Sequence, residues 1–227
     1  MSPESTASAE ISARWAEYTS WLAVNAPEAF GNLAPGATAH ELKALADAIG
    51  PPPPDDLIAL LRLNNGQRDP CGCCVLPGLE FLSAARITEE WQQWHEFREG
   101  ETADGLESLD DYARALDPGV LDKYTHAGWV PAFKDGDRAD YIGFDMTPVE
   151  GGTVGQVINF GRDEDKHFIA FPGLVGLLAF WVALVQKGDC HVQPADPPDQ
   201  PAPWFRHKNN GIDVLRSEAK KRRNRSL

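Results

Sequence analysis

Cysteine is scarce in this chain: four thiols, Cys71, Cys73, Cys74 and Cys190, stand among 227 residues. That is too few for the disulfide scaffold of a secreted protein of this size. The opening residues MSPESTASAEISA hold no cationic stretch leading into an apolar run, so no signal peptide is read there. A reduced, cytoplasmic location is the expectation. Long apolar runs are missing too, with one near exception. Residues 168–185, FIAFPGLVGLLAFWVALV, are uncharged throughout, about the length at which a membrane span becomes feasible. Pro172-Gly173 divides the run, which predicts a short buried strand followed by a helix instead of a span.

Nucleotide and calcium motifs are also lacking. VEGGTVGQV has glycines but no lysine at a helix start, so it is no phosphate loop, and the G-x-G-x-x-G spacing of a dinucleotide fold is absent. Counting Asp135 as the first position of a calcium loop puts Asp140 at the glycine position and Met146 where a bidentate glutamate is required, which excludes an EF-hand. C-x-C-C at Cys71, Cys73 and Cys74 is not a usual zinc spacing, and free thiols are the expected state. No cofactor or metal is expected.

What the chain has in plenty is negative charge. Thirty-four acidic residues against 21 basic ones give −13. From Pro203 onward eight basic residues face two acidic ones, a local +6, and subtracting it leaves −19 for the rest. Such a body attracts basic partners and disfavours nucleic acid and anionic membranes; only the short basic tail offers a weak nucleic-acid contact, with a solvated end or a return onto the acidic body as its alternatives. Seven tryptophans and ten phenylalanines supply ample apolar surface for one core.

Patterning divides the chain into a polar, disordered start (1–12), a folded domain (13–187), a proline-rich extended spacer (188–205) and a basic tail (206–227). Trp15, Tyr18 and Trp21-Leu22 recur at helical intervals. Thr38 and Glu41 have capping-box spacing ahead of Leu42, Leu45 and Ile49, with Gly50 placed for a C-terminal cap. PPPPDD then opens a helix carrying Leu57, Leu60 and Leu61, ended by Asn64-Asn65-Gly66. SAARITEEWQQWHEF is helical, with Ile87, Trp91, Trp94 and Arg98 along one side. Residues 99–111 read as an acidic surface loop, with a short helix after it around LDDYARAL. GWVPAFK, DYIGFDM, GQVINFG and HFIAF are four short strands whose close spacing favours antiparallel pairing.

In that order the pieces resemble the SUKH superfamily (SMI/KNR type), which groups fungal cell-wall-synthesis regulators with bacterial toxin-immunity proteins. Residues 33–67, 83–97, 129–163 and 171–181 carry the resemblance. Its motif positions here are Gly36, Pro54, Asn65, Gly66, Trp129, Pro131, Gly143, Asp145, Pro148, Gly155 and Gln156. The resemblance implies an α+β fold, a single mostly antiparallel sheet packed with several helices, and a protein-binding role without a shared catalytic centre.

Three functions are compatible with these readings. The leading expectation is an immunity protein that neutralises a basic toxin domain by occlusion through exposed carboxylates, with Asp104, Glu107, Asp110, Asp135, Asp137 and Asp140 as the contact face. The second is a regulatory scaffold of cell-wall synthesis or signalling that recruits partners through the proline-rich spacer and basic tail. The third is a hydrolase-like enzyme using Asp145 with His126 or His167. For Asp145 itself a structural role is preferred, capping the turn at Met146-Thr147-Pro148.

Overall fold

Helical spacing of large apolar residues opens the structure. The computed structural model describes residues 3–136, 138–197 and 202–225. Its first helix, α1 (Pro3–Asn25), lays Ile11, Trp15, Tyr18 and Leu22 along one face, all buried. Ile11 extends the stripe one turn earlier than the sequence reading assumed, which corrects the disordered start of 1–12 over the described residues 3–12. Polar tips on that face are satisfied: Trp15 Nε1 donates to Asn64 Oδ1 at 2.8 Å and Tyr18 Oη to the Val75 carbonyl at 2.9 Å. Burying each such side chain contributes about 1.5–3 kcal/mol, so α1 is part of the core.

A short α2 (Pro27–Gly31) leads to α3 (Ala39–Ala48), whose capping box is formed as the spacing predicts: Glu41 N–H donates to the Thr38 side chain, and the Glu41 carboxylate accepts from Thr38 N–H. Its C-cap is Ile49 in extended conformation, so the expected Gly50 cap is not used. α4 (Asp55–Leu63) buries Leu57, Leu60 and Leu61. Gly66 follows with φ +72°, and a Cβ there would lie 2.3 Å from the Ser83 nitrogen. Only glycine fits such a crossing.

β1 (Glu80–Phe81) and α5 (Ala84–Gly100) come next. The expected acidic loop is in fact partly a helix, α6 (Ala103–Asp110), because Thr102 caps it by accepting from Gly105 N–H and Asp104 favours its first-turn dipole. The short helix expected around LDDYARAL is therefore displaced, and β2 (Arg114–Ala115) occupies part of that stretch.

The four predicted strands are present: β3 (Trp129–Lys134), β4 (Asp140–Asp145), β5 (Gln156–Gly161) and, in place of one continuous strand, β6 (Lys166–His167) followed by β7 (Ile169–Phe171). With β1 they build an antiparallel sheet in the order β1-β3-β4-β5-β7, while β2 and β6 form a separate parallel pair. Pro131, which has no N–H for the ladder, sits where the β3–β4 register shifts. Opposite it, a Cβ on Gly143 would meet the Val130 carbonyl at 2.2 Å.

The divided apolar run yields β7 and α7 (Leu174–Gln186), which packs on α1. Among the described residues no helix is long and apolar enough to cross a membrane.

The C-terminal region departs most from expectation. β8 (Cys190–Gln193) and β9 (Trp204–His207) pair inside the supposed spacer and tail, and α8 (Gly211–Arg225) folds back onto the body. Ile212, Val214, Leu215 and Ala219 are buried. Arg216 pairs with Glu164, Arg223 reaches Asp117 at 2.7 Å, and Arg222 donates to the Ala170 carbonyl of β7 while lying over the Phe171 ring. Because α8 buries an apolar face and pairs its arginines, it is an ordered cover over the β7 edge of the sheet, not a free tail.

Candidate functional site

Helix α5 is fixed to the sheet by one buried carboxylate. Glu90, 1% exposed, accepts from Arg86 Nη2 at 2.6 Å, Lys134 Nζ at 2.7 Å and Tyr141 Oη at 2.6 Å. This joins α5 to β3 and β4. The remaining turns of α5 then carry Trp91, Trp94 and Phe97 along the protein's flank. Trp91 is buried and donates to the Ala127 carbonyl at 3.0 Å, whereas Trp94 is half-buried and Phe97 is 36% exposed.

Segment 121–128 completes the surface. Asp110, at the end of α6, accepts from Tyr124 N–H at 2.8 Å and Lys123 Nζ at 2.6 Å, and Tyr124 Oη donates to the Arg162 carbonyl at 3.1 Å. Tyr124 is thereby held edge-on to Trp94, with ring centroids 5.8 Å apart, and beside Phe97 at 6.3 Å. Trp94, Phe97, Tyr124, Tyr141 and Arg162 line a groove of about 210 Å³. Burial, followed by the nearby carboxylates of Asp163 and Asp140, pushes the Tyr124 hydroxyl above its usual pKa, so it stays a neutral donor at neutral pH. A second hollow, about 490 Å³, is bounded by α6, Arg98, Lys123, Thr125 and His126. Partly exposed Trp, Tyr and Arg side chains held rigid around an apolar groove are the composition of protein-binding hot spots.

The carboxylates proposed as a contact face are split by the fold. Asp104 and Glu107 are exposed on α6. Asp110 is occupied by Lys123 and Tyr124. Asp135 and Asp140 are buried, which corrects their assignment as exposed contacts: Asp135 accepts from Asn210 Nδ2 at 2.6 Å, and Asp140 from Asp163 N–H at 2.8 Å. Gly136 and Arg138 between them are exposed, but the two strand-end carboxylates turn inward, Asp135 towards Asn210 just ahead of α8. Asp137 lies outside the described residues.

Asp145 is fully buried and structural in its bonding. Its Oδ1 accepts from Thr147 N–H at 3.0 Å, the turn cap foreseen from MTP, and its Oδ2 accepts from Gln156 Nε2, also at 3.0 Å. Gln156 also donates to the Gly119 carbonyl and accepts from Thr153 N–H. Burial raises the Asp145 pKa. His126 approaches through the same residue, with its Nδ1 3.1 Å from the Thr147 hydroxyl and also accepting from Gly128 N–H. The two carry no direct hydrogen bond. His167 is elsewhere, buried with its ring nitrogens toward the carbonyls of Asn159 (3.2 Å) and Lys123 (2.8 Å).

The other motif positions serve the scaffold. Gly36 lies against the Arg62 carbonyl, Pro54 is the N-cap of α4, and Asn65 Oδ1 accepts from Ala84 N–H. Trp129 is buried between Phe160 and His167, and Pro148 packs at the Gly152 turn of the β4–β5 connection, where Gly155 takes φ +81°. Of the thiols, Cys71 is exposed, and burial pushes Cys73 up to about 11 and Cys74 and Cys190 up to about 12. At neutral pH these three are protonated thiols, poor as nucleophiles.

The burial of His167 has a measurable consequence. Its folded-state pKa is lowered, first by desolvation, so below the unfolded value of about 6.5 the unfolded chain binds the extra proton more readily. Its contribution to stability is present above that pH and is lost as pH falls towards the folded pKa. Comparing urea unfolding of the protein and of His167→Gln at pH 7, 6 and 5 should show the wild-type advantage shrinking on acidification, by at most about 1.4 kcal/mol per pH unit. An advantage that grows would mean that the two carbonyls favour the protonated ring over burial.

Sequence reading placed Trp91, Trp94 and Arg98 on one side of a helix but gave that side no function, and it missed Phe97, Tyr124 and Arg162. Phe97, three residues after Trp94, was a usable signal; Tyr124 and Arg162 sit in segments with no periodicity.

Comparison with known proteins adds an independent line. The sequence profile described as the SMI1 / KNR4 family (SUKH-1) matches residues 36–174. The chain is 28% identical to the "Cell wall biosynthesis/cell cycle regulator smi1" of Schizosaccharomyces pombe, over 100% of this chain and 47% of that protein. It is 25% identical to the "Glucan synthesis regulatory protein" of Neurospora crassa, over 74% of this chain and 37% of that protein. A KNR4/SMI1 homolog of Debaryomyces hansenii is 23% identical, over 82% of this chain and 37% of that protein. The chain thus spans less than half the length of these relatives. The fission-yeast alignment extends beyond the profile to the segments that form α1 and α8.

Proposed function

The chain belongs to the SMI1 / KNR4 family (SUKH-1), and on that premise we propose that it is a non-catalytic regulatory module that acts by gripping another protein. The relatives' names, which speak of cell-wall biosynthesis and glucan synthesis, favour a regulator of that kind over the toxin-neutralising immunity protein that the sequence led us to expect. The scaffold reading is revised at one point: the basic C-terminal segment is folded as α8, with Arg216, Arg222 and Arg223 engaged by the body, so it is an ordered helix and not a free arm. Four unpaired cysteines fit a reducing compartment, and cytoplasmic action is part of the proposal.

The observation that carries the reading is the aromatic groove of Trp94, Phe97 and Tyr124, held in place by Glu90 and Asp110. The net charge of −13 supports a basic partner, whose approach it would steer and whose binding would weaken with salt. Affinity capture of the tagged chain and its Trp94→Ala variant, from an extract of the source organism, tests the proposal. Proteins retained by the wild type and lost from the variant are expected. A partner set indifferent to Trp94 would place recognition elsewhere, and turnover by the purified chain would end the non-catalytic reading.

A further inference from the structure

Arg98 is a charged group that the described residues leave without an ion pair. It lies in the last turn of α5, half-buried, with its guanidinium 5.8 Å from the centre of the Trp91 ring. Its Nη1 donates to the Thr125 hydroxyl at 3.0 Å, while its Nη2 is buried without a hydrogen-bond partner among the described residues. Other partly covered arginines are served differently. Arg86 holds Glu90 at 2.6 Å, Arg223 holds Asp117 at 2.7 Å, Arg216 holds Glu164, and Arg222 is bonded to the Ala170 carbonyl. Among the described residues no carboxylate lies within ion-pair distance of Arg98, although the chain has 34 of them. A half-buried cation without an ion-paired carboxylate gains from an external anion.

The surroundings indicate what that partner is. Arg98 lines the hollow of about 490 Å³, together with Lys123, Thr125 and His126. Lys123 is already neutralised by Asp110, and Glu107 on the same wall opposes any large accumulation of negative charge. The site therefore suits one oxyanion and not a polyanion. We propose that this hollow binds a single phosphoryl or carboxylate group, gripped by the Arg98 guanidinium with the Thr125 hydroxyl beside it. A guanidinium holds the oxygens of either group by charge-assisted hydrogen bonds. Burial holds the Arg98 pKa below its ordinary value, in keeping with a cation that lacks its counter-ion. The assignment goes beyond the protein-binding reading and does not depend on it, because it requires no protein partner.

The test is a titration of the full chain, with arginine side-chain and tryptophan indole N–H groups followed by NMR. Inorganic phosphate is added in one arm and acetate in the other, against chloride at matched ionic strength. Expected are saturable shifts of the Arg98 side-chain and Trp91 indole signals. In Arg98→Gln the Trp91 response should weaken by about tenfold or more, the loss of a charge-assisted hydrogen bond. Tighter binding of phosphate would identify a phosphoryl group as the source, and tighter binding of acetate a carboxylate; either outcome supports the site. If neither anion saturates, or if Arg98→Gln responds like the wild type, the inference is overturned.

Discussion

Glu90→Ala is expected to lower the unfolding free energy by about 3–5 kcal/mol, the cost of breaking a buried charge network by removing one member. Glu90 is 1% exposed and is the common acceptor for Arg86, Lys134 and Tyr141. Its loss leaves the largely covered Lys134 ammonium with no carboxylate at bonding distance, removes the acceptor of the Tyr141 hydroxyl, and leaves room for water between α5 and the sheet. Arg86 keeps Glu89 and Glu80 and should matter less. The exposed pair of Arg14 and Glu17 provides the contrast: Arg14→Ala should change stability by about 1 kcal/mol or less. Denaturant unfolding of both variants checks the difference. If Glu90→Ala costs no more than Arg14→Ala, the network is not what fixes α5 to β3 and β4.

The second large effect concerns binding. Trp94→Ala should weaken the complex with the captured partner by about a hundredfold, near 2.7 kcal/mol, within the range of aromatic hot spots. Stability should change little by comparison, since Trp94 is only half-buried and lies on the flank of the core. Val24→Ala serves as the control, because Val24 is the most exposed large apolar residue described, on α1 and outside the groove. Calorimetric titration of the three proteins against one partner should give equal affinities for the wild type and Val24→Ala. Equal affinities for all three would remove Trp94 from the interface.

Glu90 connects these two predictions. It is buried beneath Trp94, one helical turn earlier, and it sets the position of Tyr141, which lines the groove. Energy stored in the α5–sheet junction thus holds the aromatic side chains in a fixed arrangement before any partner arrives, which limits the ordering cost of binding.

Local chemistry was legible in the sequence; long-range covering was not. The Thr38–Glu41 capping box, the Asn64-Asn65-Gly66 stop and three of the four β-rich segments appear as read, the fourth being divided into β6 and β7, because each depends on neighbours a few residues apart. The turn-capping role of Asp145 was readable for the same reason. α8 was not, since its place depends on Arg216 meeting Glu164 and Arg223 meeting Asp117, 52 and 106 residues away. The burial of Asp135 followed from that error, through Asn210 75 residues later. The groove lay between these cases: Trp94 and Arg98 were visible as one helix side, but Tyr124 joins them only through Asp110 and the fold of 121–128. Composition suggested the charge expected of a partner and gave no indication of the surface proposed to meet it.

Backbone hydrogen exchange of the chain, free and bound to its captured partner, tests the central claim most directly. The account predicts slowed exchange in residues 91–98 and 121–128, with α8 and the β8–β9 pair unchanged. Protection confined to α8, or to the β7 edge it covers, with α5 exchanging as in the free protein, would contradict it.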